Sequence, residues 1–239
     1  RQRDRSAVST VTAEAATPAF AAVTAPATIA AIYRSHGTSA ARAAVTADDV
    51  AREITRRCWL FGVSVLIAPD ESVNMDGRLV SGYFADEDRK LVVAGKFGDW
   101  IGTLLHEYCH LTQWAEDCDI WRRCKKAEAT ASIDEWLDGK PQRGIANLID
   151  LTRELEADNE RRTLRLIREL DAPVNVTEYA RRANGYIHFH NVMRETRKWY
   201  RVDRRPYSTP EVNALCNDTI DSDFSRTPAA LKAALLTCI

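Results

Sequence analysis

Apolar side chains recur at positions 101, 104, 105, 108, 111 and 114. Spacings of three and four trace one face of a helix, so a helix is predicted from Trp100 to about Glu116, with Asp99 as its N-cap. A second long period through Leu148, Ile149, Leu151, Leu155, Leu164 and Ile167 predicts a helix over 144–170, ended near Asp171-Ala172-Pro173. Between them, Ile120 to Leu137 reads as an additional helix, broken by Gly139-Lys140-Pro141. Further on, Thr177 is placed to cap a helix from Glu178 towards Tyr200, and Thr209-Pro210 and Thr227-Pro228 read as two helix starts with Pro at the first helical position.

The pattern changes upstream. Ala47 to Cys58 reads as a helix capped by Thr46, and the apolar run from Trp59 to Ile67 as a first strand. Leu79 to Phe84 and Lys90 to Ala94 flank Asp86-Glu87-Asp88 as a hairpin. The fold class expected is therefore α+β, mostly helical, with a small N-terminal sheet. Residues 1–45 are rich in Ala, Thr, Val and Ser, include Pro18 and Pro26, and have little periodicity. They read as an extended arm resting on the domain's own surface or on neighbouring chains of a larger assembly. His36, within the arm, reads as incidental. The division expected is an arm over 1–45, a domain over 46–173 and a helical region over 174–239 that completes or covers the site.

Composition narrows the possibilities. With 239 residues, 45% apolar and 28% charged, the chain can build one sizeable domain plus extensions. A formal charge of −1 makes no electrostatic case for nucleic acid, and the arginines at 161–168 and 194–205 alternate with acids and apolar residues as helix faces do. No run of 18 apolar residues predicts a membrane span, and no secretory signal is evident, so a cytoplasmic location or one within a virus particle is expected. Six cysteines scattered through helical segments read as packing thiols of a reducing compartment, with Cys216 and Cys238 the pair closest to an exception.

The chemistry enters with His106-Glu107-Tyr108-Cys109-His110, on the first of the two long helices. Positions i and i+4 share a helix face, so two imidazoles can converge on one cation, while Glu107, turned by about 100°, can meet a metal-activated water without ligating the metal. A catalytic zinc usually takes three protein ligands, so a third donor is expected downstream. The acidic cluster Glu154-Leu155-Glu156-Ala157-Asp158 on the second long helix supplies candidates, with Glu154 and Asp158 on one face.

These two motifs together resemble those of the gluzincin metallopeptidases, in which H-E-x-x-H is followed by a helix carrying a ligand Glu and an Asp four residues later. The likeness covers roughly residues 59 to 170, and E-L-E-A-D is similar to the E-x-E-A-D form of the CAAX-prenyl and mitochondrial quality-control peptidases, with a shorter form in phage-repressor-cleaving peptidases. It implies a zincin-like domain with zinc held by His106, His110 and Glu154, Glu107 as general base, and Asp158 orienting a ligand histidine. Glu156 and Asp158 remain alternatives to Glu154. The resemblance also implies a peptide or protein substrate laid along a sheet edge, here Ser81 to Phe84 or Lys90 to Ala94. Such peptidases stabilise the oxyanion with a side chain beyond the third ligand. His188 and His190 are the catalytic candidates favoured for that role, with Tyr179, Arg182 and Tyr186 nearby. Three readings follow: a zinc peptidase, a structural component of a phage particle that keeps the domain with little turnover, and a regulatory peptidase acting on one partner.

Overall fold

The computed structural model describes residues 44–75 and 77–239. The expected arm, apart from Ala44 and Val45, lies outside the described residues, and so does His36. Helix α1 (Ala47–Leu60) begins with a capping box. Thr46 Oγ1 accepts from the Asp49 amide at 3.2 Å, and the Asp49 carboxylate accepts from the Thr46 amide at 3.0 Å. The helix outlasts its predicted end by two residues and absorbs Trp59 and Leu60, expected in a strand. Its exit is a Schellman turn: Val63 N–H donates to Cys58 O, Gly62 N–H donates to Trp59 O, and Gly62 adopts φ +69°. Trp59 is left 76% exposed beyond the helix's buried stripe of Val50, Ile54 and Cys58.

Strand β1 (Ser64–Ala68) follows, then a ribbon of β2 (Val73–Met75) and β3 (Arg78–Val80), then β4 (Gly82–Ala85) and β5 (Lys90–Ala94). Three of them form a sheet in the order β1-β5-β4. β1 runs parallel to β5 with Ser64 opposite Lys90, and β4 runs antiparallel to β5 with Gly82 opposite Val93. The expected strand 79–84 is thus divided at Ser81, its first part pairing with β2 and its second with β5. β5 is the central strand and buries Leu91 to Ala94 on both faces, which explains its unbroken apolar sequence. The sheet's edges are β1 and β4.

Helices supply the rest: α2 (Trp100–Ala115), α3 (Asp119–Lys126), α4 (Ala129–Leu137), α5 (Ile145–Glu169), α6 (Val176–Thr196), α7 (Pro210–Asn213) and α8 (Ala229–Leu235). The single helix expected over 120–137 is broken where Glu128 takes φ +47°. Asn175, not Thr177, caps α6, its side chain accepting from the amides of Thr177 and Glu178. Thr209 caps α7 as expected, whereas α8 starts one residue later than predicted, with Pro228 in the cap position.

The core joins α1, β5, α2, the end of α5 and the start of α6, with Leu164, Leu166 and Ile167 packed in one cluster with Tyr179, Ala180 and Ala183. It therefore crosses the boundary expected at 173/174, and Ala44–Ile239 forms one compact unit. All six cysteines are unpaired, including Cys216 and Cys238. No described helix is long and apolar enough to cross a membrane.

Candidate metal centre

α2 is the helix that follows β5, so the most buried strand leads through Phe97 and Gly98 into the helix bearing both histidines. Burial of Ile101, Leu104, Leu105, Tyr108 and Leu111 fixes its roll, and the His106 and His110 rings stack edge to face at 4.8 Å. α5 packs across α2 and brings up the third group. Glu156 Oε2 lies 3.6 Å from Nε2 of His106 and 3.6 Å from Nε2 of His110, and the three donor atoms lie within 4.8 Å of one another. Ligands held roughly 2.0–2.2 Å from a tetrahedral zinc stand about 3.3–3.6 Å apart, so the two sides of this triangle that meet at Glu156 already have that length. Buried Glu156 Oε2 has no hydrogen-bond partner. An orphaned carboxylate oxygen between two imidazoles is costly unless a cation satisfies it, and two nitrogens with one oxygen form a set that suits zinc.

The expected ligand Glu154 is not at this point. It is exposed on α5 and pairs with Arg123 at 3.3 Å, because residues two apart on a helix point about 200° from one another. The acid four residues on shifts with it: Glu160, on the face of Glu156, has Oε1 3.1 Å from His106 Nδ1, and its Oε2 accepts from the Tyr179 hydroxyl at 2.6 Å. Asp158 reaches the site through an intermediary. Its Oδ2 accepts from Gln113 Nε2 at 2.8 Å, and the same Nε2 donates to Leu155 O at 3.1 Å. That turns Gln113 Oε1 towards His110 Nδ1, 2.8 Å away, so Nδ1 carries the proton and Nε2 faces Glu156. Gln113 carried no signal of its own in the sequence, lying outside the five-residue motif.

The electrostatics of the group are strongly coupled. Burial works against a charged His106, yet Glu160, Glu107 and Glu156 outweigh it and hold the imidazolium up to about 10. Burial likewise pushes Glu156 up, but His110 and His106 pull it down to about 2. Glu107 is buried, and that burial raises it above the usual carboxylate range against the pull of the two histidines.

The centre opens into a cavity of about 610 Å³ lined by β4, the β2–β3 ribbon, α4, α6 and the segment 199–208. Of the two candidate histidines, His190 lines the cavity and His188 does not. His188 is buried on the other side of α6, with Nε2 2.9 Å from Asp221 and Nδ1 3.3 Å from Thr227, and so joins α6 to the chain that follows. His190 places Nδ1 3.2 Å from Tyr186 O and 3.3 Å from Ile187 O, which leaves Nε2 to the cavity, and burial lowers its pKa. Tyr186 also lines the cavity, stacked edge to face on His190 at 5.1 Å. Arg182, on the same wall, is engaged by Asp99 at 2.7 Å. Of the two expected substrate edges, β5 is enclosed between neighbours, while β4 is an edge strand whose residues Gly82 to Phe84 line the cavity.

Comparison with known protein families, curated protein sequences and solved structures returns no match for this chain.

Proposed function

We propose that the chain is a zinc-dependent peptidase with a zincin-like domain, its metal held by His106, His110 and Glu156. The observation that carries this reading is the unpartnered Glu156 oxygen equidistant from two imidazole nitrogens at the wall of a substrate-sized cavity. Bound there, zinc would supply a Lewis acid and bring a water towards a pKa of about 7.

The chain's own residues account for the rest. Gln113 Oε1 accepts from His110 Nδ1, so that ring presents Nε2 as a lone pair, while His106 Nδ1 stands 3.1 Å from Glu160 Oε1 and 3.0 Å from Asn159 Nδ2. Glu107 stands beside this pair on the same helix with its affinity for protons increased by burial, which fits a general base that takes a proton from water and passes it to the leaving amine. Tyr186 offers a phenolic hydroxyl to the carbonyl oxygen on which negative charge develops. An extended peptide can pair its backbone with the free edge of β4, directly beside Glu107.

Metal analysis of the purified protein is expected to give one zinc per chain, and Glu107→Gln to keep the zinc while losing cleavage of a peptide library. Absence of bound metal after zinc loading, or a Glu107→Gln variant as active as the parent, overturns the reading.

A further inference from the structure

We propose that the substrate presents a large, uncharged, apolar side chain beside the scissile bond, and that Phe97, Tyr186, Tyr200 and Tyr207 form the pocket that receives it. The inference rests on the peptidase reading of the same site and names what that site selects.

The cavity wall leading away from the metal ligands is a continuous run of rings. His190 meets Tyr186 at 5.1 Å, Tyr186 meets Tyr207 at 5.9 Å, and Tyr207 meets Phe97 at 6.1 Å, all edge to face. Tyr200 closes on Tyr207 from a further side at 5.9 Å. These rings come from three separate parts of the chain: the turn before α2, helix α6 and the segment 199–208. Each is held by the next, so the wall is rigid before any ligand arrives and a bound side chain has little to reorder.

The charges lining the same cavity are placed elsewhere or already satisfied. Arg78 pairs with Asp134 at 2.8 Å, and Arg182 with Asp99 at 2.7 Å. Glu107, Glu156 and Glu160 gather around the two motif histidines. Arg205, whose guanidinium lies 5.2 Å from the Phe97 centroid, is buried, donates to Ser72 Oγ at 2.7 Å and does not line the cavity. The aromatic end therefore presents rings to the cavity, and a lysine, arginine, aspartate or glutamate would lose its hydration against them. The cavity's volume, about 610 Å³, has room for a bulky side chain together with the backbone along β4.

The test uses the zinc-loaded full chain and peptides varied at the positions flanking the cleaved bond. Full burial of a large apolar side chain is expected to raise kcat/KM roughly 10- to 100-fold over alanine, with Phe, Tyr, Leu and Met favoured and charged residues disfavoured. Phe97→Leu, which keeps the wall filled, should narrow the preference for aromatic over aliphatic residues. Tyr207→Ala should reduce it further, with circular dichroism reporting that the fold persists. The same peptides are titrated by fluorescence anisotropy into zinc-loaded Glu107→Gln, where the order of affinities should match. Cleavage indifferent to side-chain size, or preferring charged residues, overturns this inference and leaves the peptidase reading intact. Ordered binding with no cleavage by the parent protein supports the pocket and removes the peptidase reading. Neither binding nor cleavage overturns the pocket.

Discussion

Exchanging a carboxylate for an amide at two positions two residues apart, Glu154→Gln and Glu156→Gln, separates the arrangement described here from the one the motif alone implies. Structural zinc sites with four ligands bind with roughly 10–16 kcal/mol, or about 3–4 kcal/mol per ligand, so losing one ligand costs on the order of 10²–10³ in affinity. Glu156 stands 3.6 Å from both histidine nitrogens, and its amide counterpart keeps the volume and so the packing of α5, but not the charge. Glu156→Gln should therefore weaken zinc binding roughly 100-fold or more, the lower end of that range allowing for some coordination by the amide oxygen. Glu154→Gln removes only an exposed ion pair with Arg123, worth about 0.2–1 kcal/mol of stability, and should leave zinc affinity within roughly twofold. Asp158→Asn, which reaches His110 only through Gln113, should fall between them at about tenfold. Competition against a chromophoric chelator at fixed pH measures all three. A hundredfold loss in Glu154→Gln with Glu156→Gln unaffected would refute the assignment of the third ligand and the helix phase behind it.

Three further outcomes follow from the packing. Gly82→Ala would place a Cβ 2.7 Å from Thr103 Cγ2, 2.9 Å from Val92 O and 3.2 Å from Glu107 Cγ; overpacking of this kind should cost about 1–3 kcal/mol in denaturant titrations and lower turnover by displacing Glu107, and unchanged activity would mean β4 does not set that side chain. His188→Ala should cost about 2–4 kcal/mol by leaving Asp221 and a cavity unfilled, yet keep zinc affinity; a tenfold loss of zinc would place His188 in the site after all. Arg56 above all, and then Arg57 against the opposing effect of burial, hold Glu53 down to about 2, so its stabilisation is fully present above the usual carboxylate range and is lost as pH falls towards 2. Glu53→Gln should accordingly flatten the acid limb of the stability–pH profile, and an unchanged limb would contradict the pairing.

How much of this was legible depends on the kind of signal. Helix α2 was readable almost to the residue, because its apolar stripe and its two histidines share one period. The acid that meets the two histidines is Glu156, two residues beyond the one expected, although the information was present. Ile149, Glu156, Glu160, Thr163 and Ile167 recur at spacings of seven, four, three and four, all buried on α5, and two acids occupy that stripe. Glu154 and Asp158 instead share the polar face with Asp150 and Arg161. Two carboxylates in phase with a core stripe are a stronger indication of ligation than two carboxylates that match a motif's spacing. Phase also separates His190 from His188: Tyr179, Tyr186, His190 and Met193 line the cavity on one face of α6, and His188 is turned about 200° from His190. The strand that began too early, at Trp59, was hidden because a short apolar run carries no period of its own. Only the Gly62 turn ends the helix there. Gln113 and the pairing of β1 with β5 were not legible, since each depends on contacts between residues distant in the sequence.

The proposed metal ligands sit on helices that are adjacent in space but separated by residues 111–155, an excursion that includes α3 and α4. An ion held by His106, His110 and Glu156 would therefore act as a clasp at the base of this excursion. α3 and the start of α4 rest on α5 through a small cluster of Cys124, Ala129 and Leu155, and α4 forms part of the cavity wall through Ile133 and Asp134. Removing such an ion would loosen the base of that loop, so amide exchange and proteolytic nicking should increase around the turns at 127–128 and 138–144 while β5 stays protected. Occupancy of the proposed metal centre would thus set how long one wall of the cavity stays in place, and the excursion between the two helices would be the part of the molecule whose motion reports it.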